Sequence, residues 1–230
     1  MFHWLEKRPF FFAVGVFIVI AFAGLIEIVP NFAKASQPVV GTTPYTTLEL
    51  AGRHVYIKNS CNACHSQLIR PFKSETDRYG SYSLSGEYAY DRPFLWGSKR
   101  TGPDLHRVGN YRTTDWHENH MADPAAVVPN SIMPAYGWMF TNIADIDTAY
   151  AEQVAVNNVF NVPYNQPLPM KDGSKKTIPL AGTLKGAHTE ALADAKLITA
   201  DMKNQDVKDA VNNGQIPEIV ALIAYLNCLK

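Results

Sequence analysis

From Pro9 to Ile26 the chain carries no charged residue, and the apolar run continues past Glu27 to Val29. A run of that length crosses a bilayer as one helix. Behind it, residues 30–48 contain three prolines and sustain no helical period, so they read as an extended tether, with the folded domain opening near Glu49. Helical spacing then predicts elements over 48–63, over 114–122, and from Ile143 to Phe160, where Ala144, Tyr150, Ala151, Val154, Ala155 and Val159 recur. Thr189 to Asp209 is a further helical stretch with a mostly solvated face. Pro217 and Glu218 suit the first turn of a last helix, striped by Ile219, Val220, Leu222, Ile223 and Leu226. Residues 171–176 read as a turn, and 66–112 carry no strand pattern, only loops rich in aromatic, arginine and glycine residues. The fold class is mainly α: one N-terminal transmembrane helix, 9–29, followed by a helical domain with long loops.

The 230 residues suit one globular domain plus the anchor, and 21 basic against 21 acidic side chains give no support for nucleic-acid binding. The competing reading of the N-terminus is a cleaved signal peptide, since Lys7 and Arg8 precede the run and Ala33-Lys34-Ala35 resembles a small-x-small cleavage site. The apolar core is longer than a signal peptide's, and Glu27, Pro30 and Lys34 make an unusual approach to a peptidase. An uncleaved anchor fits better. Lys7 and Arg8 before the helix outweigh Lys34 behind it, which puts residues 1–8 in the cytoplasm and the domain in the periplasm of a bacterial inner membrane. Glu27 either faces a partner helix or snorkels to the interface.

Cys61-Asn62-Ala63-Cys64-His65 carries the chemistry, because C-x-x-C-H is the spacing that attaches a c-type haem. Two thiols on one turn can each bond a vinyl group, and the adjacent imidazole then lies beneath the iron. A zinc site would want a second pair of ligands, yet the only other cysteine is Cys228. A redox dithiol would follow a strand, whereas the flank from Gly52 to Ser60 reads as a short helix. Cys228 is then expected as a buried free thiol in the last helix. Thioether attachment requires the compartment outside the cytoplasmic membrane, in agreement with the anchor's orientation.

The second axial ligand of a high-potential cytochrome c is usually a thioether. Met133 stands out among six methionines, in Pro129-Asn130-Ser131-Ile132-Met133-Pro134, a loop stiffened by prolines on both sides. Its bland alternative is to fill a core gap. Between the two ligands lies Thr101-Gly102-Pro103-Asp104-Leu105, and the Pro103 carbonyl can accept the Nδ1–H of His65, as class I cytochromes c use a Gly-Pro-x-Leu segment. Arg70, Arg100 and Trp96, with Arg107, Tyr79 and Tyr82, are candidates for haem propionate contacts, with surface or interface roles as the alternative. His117 and His120 lie three apart beside Glu118, too few ligands for a metal site, and structural or interface roles suit them better.

Taken together, Cys61 to Phe72 (C-N-A-C-H-S-Q-L-I-R-P-F), Arg78-Tyr79-Gly80, Tyr90-Asp91, Trp96 to Leu105 (W-G-S-K-R-T-G-P-D-L), Trp116-His117 and Val128 to Tyr136 closely resemble the membrane-anchored mono-haem cytochrome c subunit of cbb3-type cytochrome c oxidases. The resemblance covers the anchor and most of 45–140, while about 165–190 looks like a divergent insert. It implies a class I cytochrome c-like domain over 49–230, and a chain that relays electrons through one haem c and performs no oxygen chemistry itself. Its implied partners are a catalytic core subunit with haem b and a haem–copper centre, a di-haem cytochrome c subunit, and a soluble cytochrome c as donor. It also implies calcium at the contact with the core, for which Ser98 is a candidate ligand. The rivals are the cytochrome c subunit of a nitric oxide reductase, which the W-G-S-K-R and S-Q-L-I-R-P-F segments oppose, and a free-standing anchored shuttle, which the aromatic loops between 79 and 112 oppose.

Overall fold

A computed structural model describes residues 2–33 and 37–230, with the side chains of 2, 5 and 31–33 left aside. Two units separate at Gln37 and Pro38. The first holds a short helix, α1 (Phe2–Glu6), and α2 (Pro9–Ala33). The span Pro9–Pro30 is long and apolar enough to cross a membrane, with large side chains such as Phe10, Phe17, Val19 and Ile20 exposed along it. Lys34 and Ala35, on which the orientation and cleavage arguments drew, lie outside the described residues.

The second unit contains α3 (Thr47–Lys58), α4 (Lys73–Tyr79), α5 (Thr114–Ala122), α6 (Pro124–Val127), α7 (Ile146–Phe160), α8 (Leu184–Ala200), α9 (Gln205–Asn212) and α10 (Glu218–Cys228), joined by long loops and short 3₁₀ turns. The start of α3 is closed by a capping box. Thr46 Oγ1 accepts from the Glu49 N–H at 3.3 Å, and the Glu49 carboxylate accepts from the Thr46 N–H at 2.8 Å. The centre of the domain is the crossing of α3 and α10, whose stripe of Ile219, Val220, Leu222, Ile223 and Leu226 is wholly buried. Tyr56 and Tyr225 meet edge to face there at 5.5 Å.

The structure differs from the sequence reading in four places. Helix α7 begins at Ile146 and not at Ile143, because the Ala144 N–H is taken by Ile216 O at 2.8 Å and Asp145 then caps the helix through the Thr148 N–H at 3.0 Å. The stretch 189–209 is two helices. The buried Glu118 carboxylate accepts from the Lys203 and Asn204 N–H groups at 2.7 and 2.6 Å, and Asn204 caps α9, so the chain turns at that corner. Around the expected turn at 171–176, β1 (Pro167–Pro169) and β2 (Lys175–Thr177) pair antiparallel, with Pro167 opposite Thr177 and Pro169 opposite Lys175. Residues 38–48, read as the end of a tether, lie on the domain: Val39 N–H donates to Gly86 O and Gly41 N–H to Pro169 O.

Candidate haem-attachment site

Helix α3 ends at Lys58, Asn59 caps it, and Ser60 takes a left-handed conformation that turns the chain into a 3₁₀ turn at Cys61–Ala63. Within that turn the Cys64 and His65 N–H groups both donate to Cys61 O, at 3.1 and 2.9 Å. The two thiols and the imidazole are thus held on a single turn. Cys61 is half-buried, Cys64 is exposed, and neither is in a disulfide. Burial pushes the Cys61 thiol up to about 12. A redox dithiol needs an acidic thiol, and Cys61 is shifted the other way.

The chain after His65 is bonded alongside 102–105. Gly102 N–H donates to Cys64 O at 2.8 Å and Leu105 N–H to Ser66 O at 2.9 Å. This pairing delivers the Pro103 carbonyl to within 2.8 Å of His65 Nδ1. With Nδ1–H donating there, Nε2 is the nitrogen left to bind a metal. Burial lowers the pKa of His65, against the opposing pull of the Pro103 carbonyl, and so favours the neutral form that a ligand needs. The fit is close enough to dictate the residue before Pro103: a Cβ on Gly102 would stand 2.3 Å from His65 Cε1.

Met133 lies in an irregular loop in which Ser131 N–H donates to Val128 O at 3.0 Å and Ser131 Oγ accepts from the Met133 N–H at 3.3 Å. The loop is tied to the last turn of α5 by Tyr136 N–H donating to Met121 O at 2.8 Å. Met121, Met139 and Met202 are buried in the core, and Met170 lies on the hairpin side of the domain, in the lining of another cavity. Met133 is only half-buried and packs against the core cluster, as Cys61, Leu105 and Tyr136 also do. Burial raises the pKa of the Tyr136 hydroxyl, with Cys61 and Cys64 as smaller contributors.

The other sequence candidates divide by what already holds them. Arg70 is exposed and bonds Glu75 with its side chain, while Arg100 bonds Glu75 at 2.7 Å, Ser66 Oγ at 2.7 Å and Leu68 O at 2.6 Å. Arg107 pairs with Glu87 and donates to Lys230 O at 2.8 Å. Trp96 stacks on Phe94 at 4.6 Å and its indole N–H is buried with no protein partner, which leaves a donor for another group. Ser98 is exposed, and among the described residues no three His, Cys, Asp or Glu side chains gather as a cation site. His120 stacks on Trp116 at 4.5 Å and His117 packs edge-on to the same ring. Arg112 covers Trp116 at 4.3 Å and was not among the residues singled out. Cys228 closes α10 half-buried, its thiol 2.9 Å from Tyr225 O and its pKa raised well above the ordinary thiol value by burial.

The residues fit a covalent haem: two free thiols on one turn, an imidazole with Nδ1 satisfied by backbone, and a half-buried thioether packed on the same core cluster as Cys61. The family model described as "Cytochrome C oxidase, mono-heme subunit/FixO" matches residues 2–230. A search of curated proteins finds no match.

Proposed function

The chain belongs to the family of mono-haem subunits of cytochrome c oxidase, and on that premise we propose that it relays electrons to haem b of the catalytic subunit through one haem c held by Cys61, Cys64, His65 and Met133. Bound there, the haem supplies a one-electron iron couple. Cys61 and Cys64 would hold it through thioethers, and His65 and Met133 would be the protein ligands of its iron, which would relay electrons without binding oxygen. The observation that carries this reading is the His65–Pro103 hydrogen bond at 2.8 Å, which fixes the tautomer that leaves Nε2 as the nitrogen that would bind the iron.

The buried indole N–H of Trp96 is the better of the sequence-derived candidates for a propionate, since Arg70 and Arg100 are already engaged by Glu75. Helix α2 anchors the chain in a single pass, with Lys7 and Arg8 on the cytoplasmic side and the domain in the periplasm. The catalytic subunit is the partner that family membership implies. A di-haem cytochrome c subunit or a soluble cytochrome c would supply the electrons. Calcium at the contact with the catalytic subunit would take the Ser98 hydroxyl from this chain.

The test is covalent attachment. Haem peroxidase staining should survive denaturation and electrophoresis of the full chain made in a host that matures c-type cytochromes, and should disappear from the Cys61→Ala, Cys64→Ala double variant. Staining that persists in the double variant overturns the reading.

A further inference from the structure

We propose that Asp104 and Arg100 are positioning residues for His65: a latch that clamps the two segments flanking its hydrogen bond to Pro103, and thereby tunes the reduction potential of the haem. The inference rests on the haem reading above and adds to it a device that the attachment motif does not contain.

The geometry is closed on every side. Asp104 follows Pro103 directly and is 1% exposed. One of its carboxylate oxygens accepts from Ser66 Oγ at 2.6 Å and from the Leu68 N–H at 2.8 Å, and the other accepts from the His106 N–H at 2.9 Å. Ser66 Oγ, having donated to Asp104, accepts from Arg100 Nε at 2.7 Å. The Arg100 guanidinium then donates to Leu68 O at 2.6 Å and to Glu75 at 2.7 Å, and lies 3.5 Å from the Asp104 carboxylate. Residues 66–68 follow the iron ligand and residue 104 follows the carbonyl that ligand bonds, so the network joins the two ends of one hydrogen bond. Ser66 and Asp104 are essentially inaccessible to solvent, where such charge-assisted bonds are strong and expensive to break.

The consequence is electronic as well as mechanical. A carbonyl held against Nδ1–H makes the imidazole a more basic ligand, which favours the oxidised iron. If the clamp is loosened, the Pro103 carbonyl swings away, the Nδ1 proton exchanges faster, and the potential rises. Arg100→Lys keeps the charge but loses the fork that spans Ser66, Leu68 and Glu75. Asp104→Asn keeps the shape but presents an amide where two or three donors converge.

The experiment uses the full chain in detergent with haem covalently attached, verified first by haem staining so that a failure of attachment is read as a failure of the haem assignment. Wild type, Arg100→Lys and Asp104→Asn are compared by redox titration and by exchange of the His65 Nδ1 proton in the reduced, ¹⁵N-histidine-labelled protein. Both variants should exchange that proton at least tenfold faster and show a raised potential while keeping the methionine-ligated spectrum. Wild-type exchange in Arg100→Lys, with a potential shift confined to Asp104→Asn, would mean that only the charge matters and overturn the latch. So would a lowered melting temperature with both readouts unchanged. Should Asp104→Asn not fold, Arg100→Lys alone decides.

Discussion

Gly52 on α3 lies so close to α10 that a Cβ placed on it would stand 1.9 Å from the Ala221 carbonyl oxygen and 2.9 Å from Tyr225 Cβ. The nearest obstructing atoms, the carbonyl of Ala221, are helix backbone, which cannot rotate aside as a side chain can. This contact sets how closely the first and last helices of the domain cross, and the turn bearing Cys61, Cys64 and His65 is the direct continuation of α3. Gly52→Ala should therefore cost about 3 kcal/mol or more, at the upper end of core overpacking. The check is a thermal melt of the haem-loaded protein against Gly137→Ala, at a position where an added Cβ meets nothing within 4 Å. Equal melting of the two variants would show that the helix crossing tolerates expansion.

Met133→Leu should abolish the weak sulfur-to-iron charge-transfer band of the oxidised protein and lower its potential, because methionine ligation raises it. Met121→Leu is the control. Met121 is 8% exposed in the core, and a volume-conserving swap there costs less than about 1.5 kcal/mol and should leave the band intact. The band vanishing from the Met121 variant and surviving in the Met133 variant would reverse the assignment.

Glu75 accepts hydrogen bonds from Arg100 and Arg70, and with Arg100 as the larger cause its pKa falls from 4.5 to about 2. A folded-state value below the unfolded one adds stability that is fully present above pH 4.5 and is lost as pH falls through about 2. Glu75→Gln should lower stability at neutral pH by about 2 kcal/mol, the scale of a hydrogen bond to a charged group. It should also flatten the pH dependence of the melting temperature across that window. A variant that keeps the wild-type slope would place the acid sensitivity elsewhere.

Much of the site was legible because its chemistry is local. C-x-x-C-H, Gly-Pro-Asp-Leu and Ser-Ile-Met-Pro are each short, and the hydrogen bond expected between the first two, from His65 Nδ1 to Pro103 O, is present at 2.8 Å. Helix α5 was legible as a helix around 114–122, and spans Thr114–Ala122. The hairpin at 167–177 was hidden because its first strand is Pro-Leu-Pro, a sequence that argues against a strand, and each strand is three residues long. The break between α8 and α9 was hidden because it is made at long range, by Glu118 on α5. The engagement of Arg70 and Arg100 by Glu75 was hidden for a similar reason. Sequence offers arginines as equals, and only packing shows which are already spent.

The start of the domain offers a last prediction, since the prolines of 30–48 suggested a boundary that packing moves. Tyr45 is inside that stretch, yet its hydroxyl donates to Asp91 at 2.8 Å, and its carbonyl accepts from Gln153 Nε2 and from the Tyr164 hydroxyl, both at 3.0 Å. Gln153 is fully buried, Asp91 and Tyr164 are each 4% exposed, and burial pushes the Asp91 carboxyl upward, so each depends on this one residue for a bond. A chain begun at Pro38 keeps all three, together with the bonds of Val39 to Gly86 and Gly41 to Pro169. One begun at Thr46 leaves a buried carboxylate without its hydroxyl donor and two buried donors without their acceptor. At about 1–3 kcal/mol for each buried group left unpaired, the shorter form should be less stable by about 3 kcal/mol or more. Chemical denaturation of the two soluble forms, each carrying haem, measures this difference directly. Coincident unfolding midpoints would mean that 38–45 is a tether after all, and that the domain holds itself together from α3 onward.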